Sequence, residues 1–163
     1  METTLAILKP DSVGAGNAGK ILAHLEEKGF TLRGLKVLRL TEAQAQAFYA
    51  VHKERPFYHS LVAFMTSGPV IPVALECDDA VPYLREVMGA TDSERAEPGT
   101  VRNLYGANIE RNAIHGSDSP ENAAKELRFF FSEAELIGAR SDRAETEPNH
   151  EVTPCIVPPI RRP

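Results

Sequence analysis

The chain has 163 residues and a mass of 17.9 kDa, enough for one domain that folds without disulfide or metal support. A hydrophobic share of 42% and a charged share of 25% are typical of globular proteins, and no apolar run reaches the roughly 20 residues that span a bilayer. The net charge of -5 argues against a nucleic-acid partner, so any anionic ligand must be held by a few placed cations.

The amino-terminal part of the chain predicts two strands separated by a helix. Residues 4–9 (TLAILK) are apolar nearly throughout, as in a strand buried on both faces, and Pro10 prevents its simple continuation. Apolar residues at helical spacing predict a helix over residues 19–28, closed by a glycine. The next apolar stretch predicts a long strand over residues 30–40.

The middle of the chain predicts paired helices and a third strand. Thr41, with Gln44 three residues later, resembles a capping box and opens a helix to about residue 51. A second short helix is expected after Pro56. Residues 70–77 predict a strand, and Pro72 within it suggests an edge strand or a bulge because proline cannot donate to a sheet ladder.

The following part combines a helix, a long irregular stretch, a short strand and a final helix. Residues 80–88 predict a helix, whereas residues 89–110 are polar, rich in Gly and Pro, and without periodicity. A loop of this length in a compact domain is usually functional or disordered. After a short strand that ends near His115, Ser119 as N-cap and Pro120 open a helix to about residue 131.

The order of these elements indicates an α+β fold of the ferredoxin-like split βαβ class, with a four-stranded antiparallel sheet covered by helices. We expect residues 1–140 to form this domain. Residues 141–163 carry five of the chain's twelve prolines, so we interpret them as an extended proline-rich appendage. We expect this tail to lie across a neighbouring subunit, anchored by its apolar side chains.

The cysteines and the amino-terminal residues indicate the cellular compartment of the protein. Cys77 and Cys155 are far apart and have no metal-ligand spacing, which fits a reducing compartment and two incidental thiols. METTLAILKPD has no basic region and no cleavage site before its short apolar run, so we interpret it as structure rather than a signal peptide. We expect a cytoplasmic protein without membrane association.

One glycine-rich segment, GAGNAGK at residues 14–20, has the spacing of a dinucleotide fingerprint and nearly that of a phosphate loop. A phosphate loop needs Ser or Thr after its lysine to hold magnesium, but Ile21 follows Lys20. A dinucleotide motif must directly follow a strand of a parallel sheet, and the predicted sheet is antiparallel. We therefore interpret the segment as a turn that leads into a helix.

The segment NAIHGSDSPE, residues 112–121, sets a single histidine between an apolar run and small polar residues. Taken alone, such a histidine is most often a partly exposed surface residue or a hydrogen-bonded core residue. Six stretches in chain order change this interpretation, namely LAILKPDSV, HKERPFY, FMTSGPV, MGATD, EPGTVR and NAIHGSDS. Together they resemble the nucleoside diphosphate kinase family over residues 4–137.

The resemblance implies a phosphotransferase that moves the γ-phosphate of a nucleoside triphosphate to a nucleoside diphosphate. His115 would carry the phosphate in a ping-pong mechanism, with Mg2+ on the nucleotide phosphates. The residue types suit this chemistry, because an imidazole with its ordinary pKa of roughly 6.5 is mostly neutral and nucleophilic at pH 7. Gly116 and Ser117 leave room for the phosphoryl group, and covalent transfer lets donor and acceptor use one pocket in turn.

The resemblance also assigns substrate-binding roles. Lys9, Arg85 and Arg102 would supply cations to the phosphates, Thr91 would donate a hydroxyl, and Asn112 would bind the sugar. A single Lys or Arg, taken alone, is usually a solvated surface charge. Three of them at motif positions together favour a phosphate site.

The remaining assignments concern the histidine and the base. Tyr49 and Glu126 resemble the pair that orients the histidine, and Ser117 resembles the hydroxyl that contacts the transferred group. Phe57 resembles the aromatic residue on which the base stacks, with Ile109 on the same side, and stacking tolerates every base. Without the resemblance, each of these residues has a simpler alternative interpretation. Tyr49 would pack within a helix, Glu126 would be a surface carboxylate, and Phe57 would be a core residue.

Two departures from the family pattern fall in the long loop, NLYGAN at residues 103–108 and Asp92–Ser93. The family uses this loop in assembly, so they affect subunit contacts more than chemistry. The resemblance implies a tetramer or a hexamer. Two other functions stay open: a noncatalytic regulatory or nucleic-acid-binding protein, which would have lost pocket residues, and a histidine phosphocarrier, which would have no nucleotide pocket.

Overall fold

The computed structural model describes residues 1–137, and the predictions for the tail at 141–163 and for Cys155 lie outside the described residues. Four strands form one antiparallel sheet in the order β2-β3-β1-β4. The strands are β1 (Glu2–Leu8), β2 (Thr31–Leu35), β3 (Ile71–Cys77) and β4 (Ile114–Gly116). This topology confirms the predicted split βαβ fold.

The described residues contain seven α-helices and three single 3-10 turns. The helices are α1 (Pro10–Gly14), α2 (Ala18–Glu27), α3 (Glu42–Phe48), α4 (Tyr58–Thr66), α5 (Ala80–Met88), α6 (Val101–Tyr105) and α7 (Pro120–Phe130). The 3-10 turns are Ala50–His52, Ser93–Arg95 and Glu133–Glu135. Within residues 1–137, no helix is both long and apolar enough to cross a membrane.

The strand β1 lies at the centre of the fold, and its last five residues are buried. Ala6 and Leu8 pack on one face with side chains of α2 and α5, whereas Leu5 and Ile7 pack on the other with α3, α4 and α7. Burial of each large aliphatic side chain contributes roughly 1.5–3 kcal/mol. The prediction of a strand buried on both faces is confirmed, and β1 becomes a rigid support for whatever follows Leu8.

The predicted strand over residues 30–40 is interrupted, and Pro72 explains why. The Pro72 carbonyl accepts a bond from the Lys36 N–H at 3.2 Å, but proline has no N–H to return the bond. The regular ladder therefore stops at Leu35, and only an isolated bridge between Leu38 and Val70 continues it. Of the two alternatives predicted for Pro72, the edge strand was wrong because β3 is an interior strand. The β2–β3 pair does contain a register irregularity, but it lies between Leu32 and Gly34 of β2.

Helix boundaries follow the local signals where these are strong. The Thr41 hydroxyl accepts from the Gln44 N–H at 3.2 Å and the Gln44 side chain accepts from the Thr41 N–H at 2.9 Å, which confirms the capping box. The Ser119 hydroxyl likewise caps α7 by accepting from the Asn122 N–H at 3.1 Å. The helix after Thr41 ends earlier than predicted, at Phe48, and continues as a 3-10 turn.

Short helices were not predicted. The segment after Lys9 forms α1, and residues 89–110 contain a 3-10 turn and α6 instead of an irregular loop throughout. One or two helical turns are too short to show apolar periodicity, and tertiary contacts stabilise them. Val101, fully buried at the start of α6, is such a contact.

Candidate active site

A cavity of about 690 Å³ opens beside β4. Nine of the ten predicted site residues line it, and the tenth, Ser117, is buried behind one of them. The nine are Lys9, Tyr49, Phe57, Arg85, Thr91, Arg102, Asn112, His115 and Glu126. The fold therefore gathers side chains that are separated by more than half of the chain into a single concave site.

His115 is the middle residue of β4, where it pairs with Ile7 of the rigid strand β1. Its Nε2 lies 3.1 Å from Oε2 of Glu126, and the Ser117 hydroxyl donates to the same oxygen at 2.6 Å. An ionised carboxylate only accepts hydrogen bonds, so this contact places a proton on Nε2. The other nitrogen, Nδ1, then keeps its lone pair, and it has no hydrogen-bond partner among the described residues.

Two aromatic side chains at the end of α3 border the imidazole. The rings of Phe48 and Tyr49 meet the His115 ring edge-on, with centroids 5.6 and 6.2 Å away. The Tyr49 hydroxyl is buried without a hydrogen-bond partner in residues 1–137, and burial, then the charge of Glu126, raises the pKa of this phenol well above its usual value. Tyr49 therefore keeps its proton and offers a free donor beside the imidazole.

Lys9 follows β1 and is only 7% exposed. Its Nζ donates to Oδ1 of Asn112 at 2.6 Å, and the Asn112 amide donates to the carbonyls of Thr91 at 2.9 Å and Ile109 at 3.1 Å. Burial, then the nearby charge of Arg102, lowers the pKa of Lys9 to about 8. The ammonium is thus fixed by one strong contact, while two of its N–H groups remain for a ligand.

The two arginines of the site, Arg102 and Arg85, differ in burial and in hydrogen bonding. Arg102 is buried in α6 and donates to the carbonyls of Gly89 and Ile114, each at 3.0 Å, so it joins the end of α5 to β4. Burial, then the charge of Arg85, lowers the pKa of Arg102 to about 10, and the guanidinium stays charged at pH 7. Arg85 is exposed and makes no hydrogen bond or ion pair within the described part of the chain.

The mouth of the cavity is apolar. Phe57 is 49% exposed and Ile109 is 64% exposed, and both line the cavity. This exposure excludes core packing, the alternative explanation for Phe57. An exposed aromatic ring at the edge of a cavity can stack on a flat ring of a ligand.

Sequence reasoning missed two aromatic side chains that contact site residues. Phe48 borders His115, and the centroid of the Phe64 ring is 5.9 Å from the Lys9 ammonium and 5.4 Å from the Arg111 guanidinium. Aromatic residues in amphipathic helices resemble ordinary core residues in sequence. Only the tertiary arrangement distinguishes them.

Carboxylates also reach the cavity. Asp118 and Glu110 line it, and the hydrogen bond from the Asn122 side chain at 2.7 Å helps to hold the pKa of Asp118 below its usual range. No group of three or more His, Cys, Asp or Glu able to hold a metal ion occurs in residues 1–137. A cation here would need further ligands from a bound molecule.

Comparisons with known proteins agree over the whole described domain. The family model of nucleoside diphosphate kinase matches residues 2–136. A nucleoside diphosphate kinase of Persephonella marina is 54% identical over 137 residues, which are 84% of this chain and 98% of that relative. One of Chlamydia abortus is 51% identical over 139 residues, 85% of this chain and 99% of that protein.

Solved structures give the same result. A crystal form of the Aquifex aeolicus nucleoside diphosphate kinase superposes with a TM-score of 0.81 at 46% identity, covering 83% of this chain and 98% of that one. The Halobacterium salinarum nucleoside diphosphate kinase, solved in complex with CDP, also reaches 0.81, at 41% identity, over 86% and 94%.

The fold and the similarity define a phosphotransferase that acts on nucleotides. The chain belongs to the nucleoside diphosphate kinase family.

Proposed function

We propose that this protein transfers the γ-phosphoryl group of a nucleoside triphosphate to a nucleoside diphosphate through a phosphohistidine on His115. The observation that carries this proposal is the Glu126 contact at 3.1 Å, which occupies Nε2 and leaves the Nδ1 lone pair for attack. His115 lines a cavity whose volume suits a nucleotide.

The reaction has two half-reactions that mirror each other. In the first, Nδ1 attacks the γ-phosphorus, a nitrogen–phosphorus bond forms, and the bond to the β-phosphate oxygen breaks to release the diphosphate. The imidazole becomes positively charged because Nε2 keeps its proton, and the Glu126 carboxylate stabilises that charge. In the second, a terminal oxygen of another diphosphate attacks the phosphorus, and the neutral imidazole returns.

Charge stabilisation comes from cations already in place. Arg85 can turn fully to a phosphate, since it has no protein partner among residues 1–137. Lys9 keeps its bond to Asn112 and offers its remaining N–H groups. Arg102 donates hydrogen bonds to two backbone carbonyls, so we assign it two roles. It stabilises the local structure, and its positive charge contributes to the electrostatic stabilisation of the phosphates. The free hydroxyl of Tyr49 and that of Thr91 supply neutral donors.

We propose that Mg2+ enters with the nucleotide. Asp118, which stays ionised on the cavity wall, and Glu110 offer the hard oxygen atoms that suit this ion. When bound, the ion neutralises phosphate charge.

We propose that the base stacks at the cavity mouth between Phe57 and Ile109, and that Asn112 meets the sugar. The exposure of both apolar side chains supports this placement. Stacking uses the π-face that every base has, so base selectivity should be weak. The structure of the relative from Halobacterium salinarum was solved in complex with CDP, a pyrimidine nucleotide.

Both alternative functions have less support. A noncatalytic scaffold would have lost pocket residues, yet all ten predicted site residues lie at or behind one cavity. A phosphocarrier would present its histidine to a protein partner and needs no enclosed nucleotide-sized cavity. The cavity therefore favours the nucleotide enzyme.

We further propose that the domain at residues 1–140 self-associates as a tetramer or hexamer, with the tail at 141–163 as an appendage. Leu35 and Val37, at and just beyond the end of the outer strand β2, are 42% and 66% exposed, and such an apolar edge favours a partner. We also propose a cytoplasmic location, which fits the free thiol of Cys77.

The proposed cycle is tested by trapping its intermediate. The protein is incubated with γ-labelled ATP, freed of nucleotide, and chased with unlabelled GDP. We expect one acid-labile, base-stable label per site, which moves to GTP within the enzyme's turnover time. His115→Ala should take no label, whereas His59→Ala, which alters an exposed histidine of α4, should label normally. Direct transfer without a labelled protein would contradict the cycle.

A further inference from the structure

Ala113, two residues before His115, has a left-handed backbone with φ of 68°. Such a conformation is costly for a residue with a Cβ atom and is readily adopted by glycine. Strained backbone of this kind persists only where the surroundings fix it, and it is often found at functional sites. The question is which groups fix Ala113.

The segment that follows β1 binds both the N–H and the carbonyl of Ala113. Oδ2 of Asp11 accepts from the Ala113 N–H at 3.0 Å. The Ser12 hydroxyl donates to the Ala113 carbonyl at 2.8 Å, and the Lys9 N–H donates to the same carbonyl at 2.9 Å. Ala113 is fully buried, so water cannot replace these partners.

Asp11 is the unusual member of this set. Its Oδ1 atom is buried and has no partner among the described residues, so the carboxylate is only half satisfied. A carboxylate in that position is costly to bury if folding is its only role. Its contact with Ala113 lies across more than a hundred residues of sequence, at the point where the chain enters β4.

Ala113 links the two halves of the site. On one side of it, Asn112 binds the Lys9 ammonium at 2.6 Å. On the other side, the Ile114 carbonyl accepts from Arg102 and is followed by His115. A rotation of the Ala113 backbone would therefore move the cations relative to the imidazole.

We propose that Asp11 is a positioning residue, which holds Ala113 in its left-handed conformation and thereby fixes Lys9 and Asn112 relative to His115. This inference rests on the proposed function of His115. Asp11 lies outside the cavity lining and acts through the backbone of Ala113. A second effect follows from its charge: Asp11 raises the pKa of Lys9 and so opposes part of the lowering caused by burial.

The test is a double-mutant cycle read by the single-turnover rate at which labelled ATP phosphorylates the protein. Asp11→Ala removes the anchor and should slow this rate roughly 10- to 100-fold, as expected for misplaced catalytic groups. Ala113→Gly tolerates the left-handed conformation without an anchor and should stay near the wild-type rate. The double variant should regain most of the lost rate.

A matched control uses Asp79, the other described non-glycine residue with a positive φ, at 51°. Asp79→Gly combined with Asp11→Ala should show no rescue. Asp11→Asn keeps an oxygen that can accept from the Ala113 N–H, so its phosphorylation rate at pH 6.5 should be near normal. It loses the negative charge that raises the pKa of Lys9, so its activity should begin to fall at a lower alkaline pH than that of wild type. This readout also serves if Asp11→Ala folds poorly.

The outcomes separate the two claims. If wild type is phosphorylated but Asp11→Ala and Ala113→Gly act additively, the positioning role is wrong and the proposed function stands. If Asp11→Asn at pH 6.5 is as slow as Asp11→Ala, the hydrogen bond to Ala113 is not the cause and the inference is again contradicted. If wild type takes no label, both claims fall.

Discussion

Replacing Glu126 by glutamine should slow phosphorylation of the protein without changing its fold. The amide oxygen of glutamine can still accept the Nε2 proton of His115, so the tautomer is preserved, but the negative charge that faces the phosphorylated imidazole is lost. Glu126→Ala, which removes both the charge and the acceptor, should be slower still. The two variants thus separate electrostatic support from control of the tautomer.

The size of the effect follows from the contact. A hydrogen bond to a charged group contributes about 1.5–3 kcal/mol and one between neutral groups about 0.5–1.5 kcal/mol. Both side chains are 21% exposed, so screening is moderate, and the loss of the charge in Glu126→Gln should cost about 1 kcal/mol. At about 1.36 kcal/mol per factor of ten, the expected loss in rate is roughly 5-fold for Glu126→Gln, and about 2 kcal/mol or roughly 30-fold for Glu126→Ala.

Rapid-quench measurement of phosphoenzyme formation from labelled ATP gives this rate directly. Glu121→Gln is the matched control, because Glu121 is exposed on the first turn of the same helix, outside the cavity lining. An unchanged rate in Glu126→Gln would refute the role given to the carboxylate. A loss of equal size in Glu121→Gln would assign the effect to the helix instead.

Three further predictions concern binding, pH and stability. Because the Lys9 ammonium is the proposed active form and its pKa is about 8, kcat/KM should fall as the pH rises through about 8. Lys9→Arg should abolish this alkaline fall, and a wild-type profile without it would contradict the role of Lys9. Phe57→Ala should raise KM for purine and pyrimidine nucleotides alike, by roughly 10- to 100-fold, and loss of only one class would argue against a shared stacking site. Arg102→Ala should lose activity and, in urea titration, at least about 2 kcal/mol of unfolding free energy, whereas Arg85→Ala should lose activity alone; equal stability of the two would disprove the structural role.

Sequence predicted the architecture well because the strongest signals are local. The apolar run of β1, the capping box at Thr41 and the Ser119 cap each determine a nearby conformation. The interruption of β2 could not be predicted, since it depends on Pro72 lying beside it in the sheet. The short helices α1 and α6 were missed because one or two turns show no periodicity.

The candidate site was likewise predicted only in part. Motifs brought the ten predicted residues to attention, but they could not show that Arg102 is bonded to two carbonyls or that Asn112 already holds Lys9. Alanine gives no hint of a left-handed backbone, so the link between Asp11 and Ala113 is visible only in three dimensions. Residue type indicates chemistry, whereas its hydrogen-bond partners depend on tertiary structure.

Phosphorus NMR of the trapped phosphoenzyme shows which nitrogen of His115 carries the phosphate. The two phosphohistidine isomers have different chemical shifts, and fragment mass spectrometry of the same sample identifies the modified residue. We expect a single signal from phosphate on Nδ1 of His115, since Glu126 occupies Nε2. Phosphate on Nε2, or on any other residue, would contradict this expectation.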